Sequence, residues 1–223
     1  MLKGLFVTGT DTHVGKTYIA SGIVSALRTS GVNVGVMKPV ETGCRIRNGS
    51  LMPADAIKLI KAAGAQDALS LVNPYRLRQP LAPSVAAKLS RQSIDPDKIL
   101  KAYRTLSRRH DTMIIEGAGG IMVPLAEGYL LLDLAEAMRL PVLIIARPGL
   151  GTINHTLLTI DALRARRIAI AGVVINSSTD GKRGLAEATS SAVIETLSGV
   201  PIIGIIPHKT RKFDQMLELL GYQ

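Results

Sequence analysis

Residues 9–17 read GTDTHVGKT, and the fold turns on what this stretch is. A short apolar run precedes it, and a segment with helical periodicity starts at Thr17. A strand, a glycine-bearing turn and then Gly-Lys-Thr entering a helix is the setting of a phosphate-binding loop. In such a loop backbone N–H groups and the helix N-terminus face the phosphates, the lysine bridges their oxygens, and the next hydroxyl reaches Mg2+. The spacing departs from the common G-x-x-x-x-G-K-[ST] form, because five residues instead of four separate Gly9 from Gly15. The bland alternative is a glycine turn with a surface lysine. The context on both sides favours the loop.

Working outward, apolar and amphipathic runs alternate along the chain. Strands are expected at residues 2–8, 32–38, 112–116, 142–147, 169–176 and 200–206. Helices are expected at 17–30, 53–63, from Asp95-Pro96 to about 109, and at 130–139, 152–167, 185–198 and 211–220. Ile19, Ile23 and Leu27 share one face of the first helix, Gly31 stops it, and Asp95-Pro96 pairs an N-cap with proline at the first helical position. Short Val/Ile/Leu strands alternating with helices predict an α/β fold, a doubly wound, mostly parallel sheet with helices on both faces. The 223 residues suit a single domain, 1–223. Residues 73–93, with Pro74, Pro80 and Pro83, read as a long irregular connection.

Bulk properties narrow the function. The net charge of +10 is dispersed in short groups, and two Phe, five Tyr and no Trp leave little aromatic surface for base stacking, so nucleic acid is not an expected partner. No apolar run has the length of a membrane span, and the apolar N-terminal run is too short for a signal peptide. A lone cysteine, Cys44, excludes an intrachain disulfide and fits a cytoplasmic protein. It reads as an ordinary polar-loop thiol with no identifiable activating partner.

In a sheet of this kind ligands bind beyond the carboxyl ends of the strands, so the chemistry should follow each strand. After the first strand come Lys16 for phosphates and Thr17 for Mg2+. Glu116 follows the apolar run TMIIEG, and Asp55 opens a short helix. Both are candidate Mg2+ carboxylates, with capping or surface roles as alternatives. Lys38 leaves the second strand in MKPVETG, either toward an anion or toward solvent. The glycines of EGAGG allow close backbone approach or only a tight turn. PGLGTINH runs into a helix and offers a second anion site. Asn176 ends another strand, where its amide suits an adenine edge or a turn.

Taken in order, GTDTHVGKT, KPVETG, NPY at Asn73, EGAGG followed by VPL, LPV, INH-x-LLT and GIIP resemble the dethiobiotin synthetase family across residues 6–207. The longer loop is a trait of that family. The resemblance implies ATP- and Mg2+-dependent carboxylation and ring closure of 7,8-diaminononanoate with CO2, through a carbamate and a carbamic-phosphoric anhydride. It also implies a homodimer with shared active sites. Residue by residue it implies catalytic roles for Lys16, Lys38 and Thr12, and Mg2+ ligation by Thr17, Asp55 and Glu116. Nucleotide contacts are implied for His13, Val14, Gly15, Tyr18, Gly117, Ala118 and Gly119, and a base pocket for Asn176, Ser177, Ile205, Ile206 and Pro207. The diamine end falls to Thr42, and the substrate carboxylate to Gly151, Thr152, Ile153 and Asn154, with free N–H groups expected at that helix start. His13 stands at the variable position where other members have glutamate and faces phosphate or solvent. His208 replaces a tryptophan found in some members.

Two other functions share these features. A partition-type or septum-site ATPase would read K-G-G-x-G-K-T, but Asp11 stands where its signature lysine would be. Another phosphate-loop ligase or amide-forming enzyme would call for glutaminase residues or a second domain, and neither is visible.

Overall fold

The computed structural model of the protein describes residues 2–177, 185–207, 210 and 213–222. Strand β1 (Gly4–Gly9) leads through the loop into helix α1 (Lys16–Thr29), and β2 (Val34–Met37) follows. Next come β3 (Val40–Glu41), the hairpin β4 (Arg45–Arg47) and β5 (Ser50–Met52), helices α2 (Ala54–Ala63) and α3 (Leu69–Val72), β6 (Tyr75–Arg76) and α4 (Pro83–Leu89). Helix α5 (Pro96–Ser107) precedes β7 (Thr112–Gly120), a second hairpin of β8 (Pro124–Ala126) and β9 (Tyr129–Leu130), and α6 (Leu131–Met138). The chain continues through β10 (Val142–Ala146), α7 (Thr152–Ala165), β11 (Ile170–Asn176), α8 (Leu185–Ser198), β12 (Ile202–Ile206) and α9 (Asp214–Leu219).

The six-stranded central sheet runs β12-β11-β10-β1-β7-β2, and every pairing in it is parallel. Successive residues of β1 feed opposite faces: Phe6 packs into one apolar cluster, Leu5 and Val7 into the other. Helices α5, α6 and α7 line the first cluster; α1, α2 and α9 line the second. The order turns back at β1, which has β10 on one side and β7 on the other. That places the crevice at the carboxyl ends of β1 and β7, where the loop begins.

The parallel layer matches the sequence reading to within a few residues at each end. Asp95 caps α5 through a 2.9 Å bond from the Asp97 N–H, with Pro96 at the first helical position. Five expectations are corrected. Strand β7 continues through the glycines to Gly120, opposite Gly9, so EGAGG is strand and not a turn. The segment 73–93 is not irregular: β6 pairs in parallel with β3, and α4 starts at Pro83. The two hairpins were not expected. Cys44 is buried rather than set in a polar loop, and burial, then Glu41, push its thiol up to about 11, so it stays protonated. The last helix is shorter than the expected 211–220, and residues 211 and 212 lie outside the described residues.

Helix α1 carries Gly22 on the face under α9. A methyl there would lie 2.4 Å from two ring atoms of buried Phe213, whose ring stacks edge-on against Tyr18 at 5.8 Å. Gly22→Ala should gain about 1 kcal/mol of helix propensity and lose about 1–3 kcal/mol to overpacking. A net loss of stability is therefore expected in urea unfolding. A stabilised variant would show that Phe213 does not press on α1.

Candidate functional site

The site is assembled from three strand ends. After β1 the loop turns back on itself: Asp11 Oδ1 accepts the Thr12 N–H at 2.7 Å, and Lys16 Nζ donates to Asp11 O at 3.2 Å. Two glycines make this possible. A methyl on Gly9 would lie 2.8 Å from Asp11 O and 3.1 Å from Lys16 Nζ. Gly15 sits at φ 93°, in the left-handed region, and a methyl there would lie 2.1 Å from Asn176 Nδ2. His13 is also left-handed, at φ 58°, and is exposed at the cleft.

Lys38 follows β2 directly, and Glu116 sits within β7, just before its glycines. Lys38 Nζ lies 2.6 Å from Glu116 Oε1 and 3.0 Å from Gly117 O, with the two side chains 5% and 1% exposed. The Thr17 hydroxyl donates to the same Oε1 at 2.9 Å. Glu116 Oε2 is buried and has no hydrogen-bond partner among the described residues. Asn73 explains how Lys38 is held: its Nδ2 donates to Lys38 O at 2.6 Å, and the Lys38 N–H donates to Val72 O at 2.8 Å. Nothing in the residues around NPY signals this role for Asn73, which is decided by the fold. Burial first, and then neighbouring Lys38, lower Lys16 from 10.5 to about 8; Glu116, Asp55 and Asp11 oppose this.

These groups line one cleft of about 810 Å³ with Thr12, Thr42 and Asp55. Its donors for a cation are hard oxygens: the orphaned Glu116 Oε2, the Thr17 hydroxyl and the partly open Asp55 carboxylate. That set suits Mg2+, which keeps waters and takes few protein carboxylates. Among the described residues no group of three or more His, Cys, Asp or Glu could hold a metal. Gly117 lies behind this wall, where a methyl would meet Leu131 at 2.7 Å, while Ala118 and Gly119 face the cleft.

Other expected residues lie apart from it. Asn176 does not present a free amide: its Nδ2 donates to Val14 O at 2.9 Å, and its buried Oδ1 is unpartnered among the described residues. The Ser177 N–H donates to Ile206 O at 2.9 Å, tying the walls of the expected base pocket together. Tyr18, by contrast, does line the cleft, where it packs on Phe213 and donates its hydroxyl to Thr210 O. Gly151, Thr152, Ile153 and Asn154 begin α7 outside the cleft. Thr152 is corrected as a free donor: its N–H donates to Gly149 O at 3.3 Å, and its side chain is 1% exposed. His208 lies outside the described residues.

The chain is 42% identical over 217 residues to the ATP-dependent dethiobiotin synthetase BioD of Thermodesulfovibrio yellowstonii, covering 94% of this chain and 90% of that protein. It is 41% identical to the protein of the same name from Methanocaldococcus jannaschii, covering 91% and 92%. The chain belongs to the dethiobiotin synthetase family. A broader family profile, described as an AAA domain, matches residues 3–212. Among solved structures, the septum site-determining protein MinD of Pyrococcus horikoshii superposes with a TM-score of 0.60 at 16% identity, over 98% of this chain and 86% of that one. A ParA family ATPase from Chlorobium tepidum superposes at 0.56 and 17%, over 99% and 89%. At such identities the likeness is one of fold, and the synthetase family carries the chemistry.

The lowered value of Lys16 has a measurable consequence. Between about pH 8 and 10.5 the folded chain binds fewer protons at Lys16 than the unfolded chain, so its contribution to stability rises with pH across that window. Polyphosphate bound at Lys16 favours the ammonium again. Nucleotide binding near pH 8 should therefore take up a fraction of a proton, read by calorimetry in buffers of different ionisation enthalpy. Lys16→Met should remove that uptake, and equal uptake in both proteins would contradict the lowered value of Lys16.

Proposed function

We propose that this chain closes the ureido ring of dethiobiotin from 7,8-diaminononanoate and CO2 with ATP, in biotin biosynthesis. The observation that carries this reading is the convergence of Lys38 and Thr17 on one oxygen of Glu116, beside Lys16, in a cleft that continues to Thr42. One amine of the substrate captures CO2 as a carbamate. The carbamate oxygen attacks the γ-phosphorus and ADP departs. The second amine attacks the carbonyl of the mixed anhydride, and phosphate leaves. Lys16 and the loop N–H groups from His13 to Thr17 cradle the phosphates. Lys38 neutralises charge shared between carbamate and γ-phosphate, and Thr12 and Thr42 orient the reacting end. Positioning and charge stabilisation supply most of the acceleration, since a carbamate needs placement more than activation. Mg2+, when bound, would neutralise charge on the phosphates; Thr17, Asp55 and Glu116 would hold it. Asn176 Oδ1 is the acceptor left for the exocyclic amine of adenine, between Ser177 and the segment Ile205, Ile206 and Pro207.

The substrate's carboxylate requires an anion site one aliphatic chain away. The start of α7 offers one: Ile153 and Asn154 lie in its first turn, where N–H groups lack intrahelical partners. It lies outside the Lys38 cleft of its own chain, so we assign it to the cleft of a second copy. Leu150 (88% exposed) precedes this segment, and Leu158 (60%) and Met122 (56%) line one groove beside α7; such exposed apolar side chains support a homodimer. Among the described residues no helix is long and apolar enough to cross a membrane, and we place the enzyme in the cytoplasm.

ATP hydrolysis should depend on diaminononanoate and bicarbonate together. Lys38→Ala should lower kcat on the order of 10²-fold while changing nucleotide affinity little. Hydrolysis indifferent to the diamine would end the synthetase reading.

The shared site is tested by mixing two inactive proteins. One carries Lys38→Ala. The other carries Ile153→Pro, which removes an N–H donor that, unlike that of Thr152, is not turned back on Gly149. In a mixed dimer one site inherits both lesions and the other neither, so random exchange should restore roughly a quarter of wild-type activity. No recovery between folded, exchanging proteins would mean that each site is built from one chain.

A further inference from the structure

Glu41 stands three residues after Lys38 in KPVETG, and the reaction above leaves it without a task. It is 5% exposed, and its backbone is fixed by β6: Glu41 lies opposite Arg76, and the Leu77 N–H donates to Glu41 O at 2.8 Å. Its carboxylate points at the start of α2. That helix has Pro53 at its N-cap position and no side-chain cap. Glu41 supplies the missing acceptors from outside the helix: Oε1 takes the Asp55 N–H at 3.0 Å, and Oε2 takes the Ala56 N–H at 3.0 Å.

Both oxygens of a buried carboxylate are thus committed to consecutive amides of one helical turn. Charged acceptors make the stronger hydrogen bonds, and an anion at a helix N-terminus also complements the macrodipole. The arrangement holds against two opposing effects, burial and the like charge of Asp55, both of which raise the Glu41 carboxyl above its ordinary value. The residue directly gripped, Asp55, has a side chain 37% exposed on the wall of the cleft.

We propose that Glu41 is the positioning residue of the metal-binding carboxylate: it pins the first turn of α2 to the end of β3 and so fixes Asp55 at the cleft. This rests on the assignment of Asp55 to Mg2+ above. Without Glu41 the first turn of α2 has no side-chain acceptor for its amides, and Asp55 loses a fixed place from which to reach an ion. Neighbours that orient a metal ligand matter nearly as much as the ligand itself.

The test uses Mn2+ binding, followed by electron paramagnetic resonance, to protein saturated with a non-hydrolysable ATP analogue. Glu41→Ala and Asp55→Asn should each weaken Mn2+ binding by about tenfold or more. The double variant should be no weaker than Asp55→Asn, because one change acts through the other. Amide exchange at Asp55 and Ala56 should accelerate in Glu41→Ala. Glu41→Gln, which keeps one acceptor, should fall between, and it serves as the test if Glu41→Ala does not fold. Wild-type Mn2+ affinity in Glu41→Ala beside a weakened Asp55→Asn overturns the inference alone, as does full multiplication of the two effects. Wild-type affinity in Asp55→Asn removes the metal assignment itself, and the inference with it.

Discussion

The ion pair between Lys38 and Glu116 is the contact on which the site depends. Two charges buried to this degree are costly to desolvate, and removing either partner of such a pair typically costs about 3–5 kcal/mol. The pair holds because it is anchored on every side: Thr17 and Lys38 share Glu116 Oε1, Gly117 O takes a second bond from Lys38, and Asn73 grips the Lys38 carbonyl. Through these bonds the ends of β2 and β7 and the first turn of α1 are fixed relative to one another. A helix, two strands and a connecting segment remote in sequence thereby share one small polar knot in an otherwise apolar sheet.

The loop is shaped by the same economy of space. Gly9 and Gly15 are the positions where a side chain would collide, one with the loop's own carbonyl and the other with Asn176. Asn176 uses its donor to hold Val14 O, so the strand end proposed to hold the base also sets the loop after β1. Lys16 and Lys38 face one carboxylate in a desolvated cleft, and Lys16 is lowered as a result. Buried positive charge of this kind is relieved by a polyanion.

Much of this was legible in the residues. Runs of Val, Ile and Leu bounded by Gly31, Gly64 and Gly199 gave the parallel layer, and the loop, Lys38 and Glu116 followed from their places at strand ends. Glycine has no side-chain pattern, so the extension of β7 to Gly120 was hidden; it exists because Gly9 and Gly120 can lie side by side. The β4–β5 hairpin was hidden because Arg45, Ile46 and Arg47 are all exposed, which leaves no buried face to betray a strand. The pairing of β3 with β6 is only two residues long and depends on partners 35 positions apart, Val40 with Tyr75 and Glu41 with Arg76. Thr152, a reasonable donor by position, is spent on Gly149 because the chain tightens as it enters α7. Side-chain burial and backbone pairing of this sort are decided by the rest of the fold.

The position of β1 bears on how the protein is made. Its register sets Phe6 opposite Val142 on one side and Ile115 on the other. During synthesis the first strand therefore waits, with one hydrogen-bonding edge unmatched, until β10 has left the ribosome. The phosphate loop hangs from the end of that strand, and the Thr10 N–H is closed only by Ile145 O. The earliest-made part of the site is thus among the last to be fastened, and a chain halted before residue 142 offers its open strand edge to any other chain nearby.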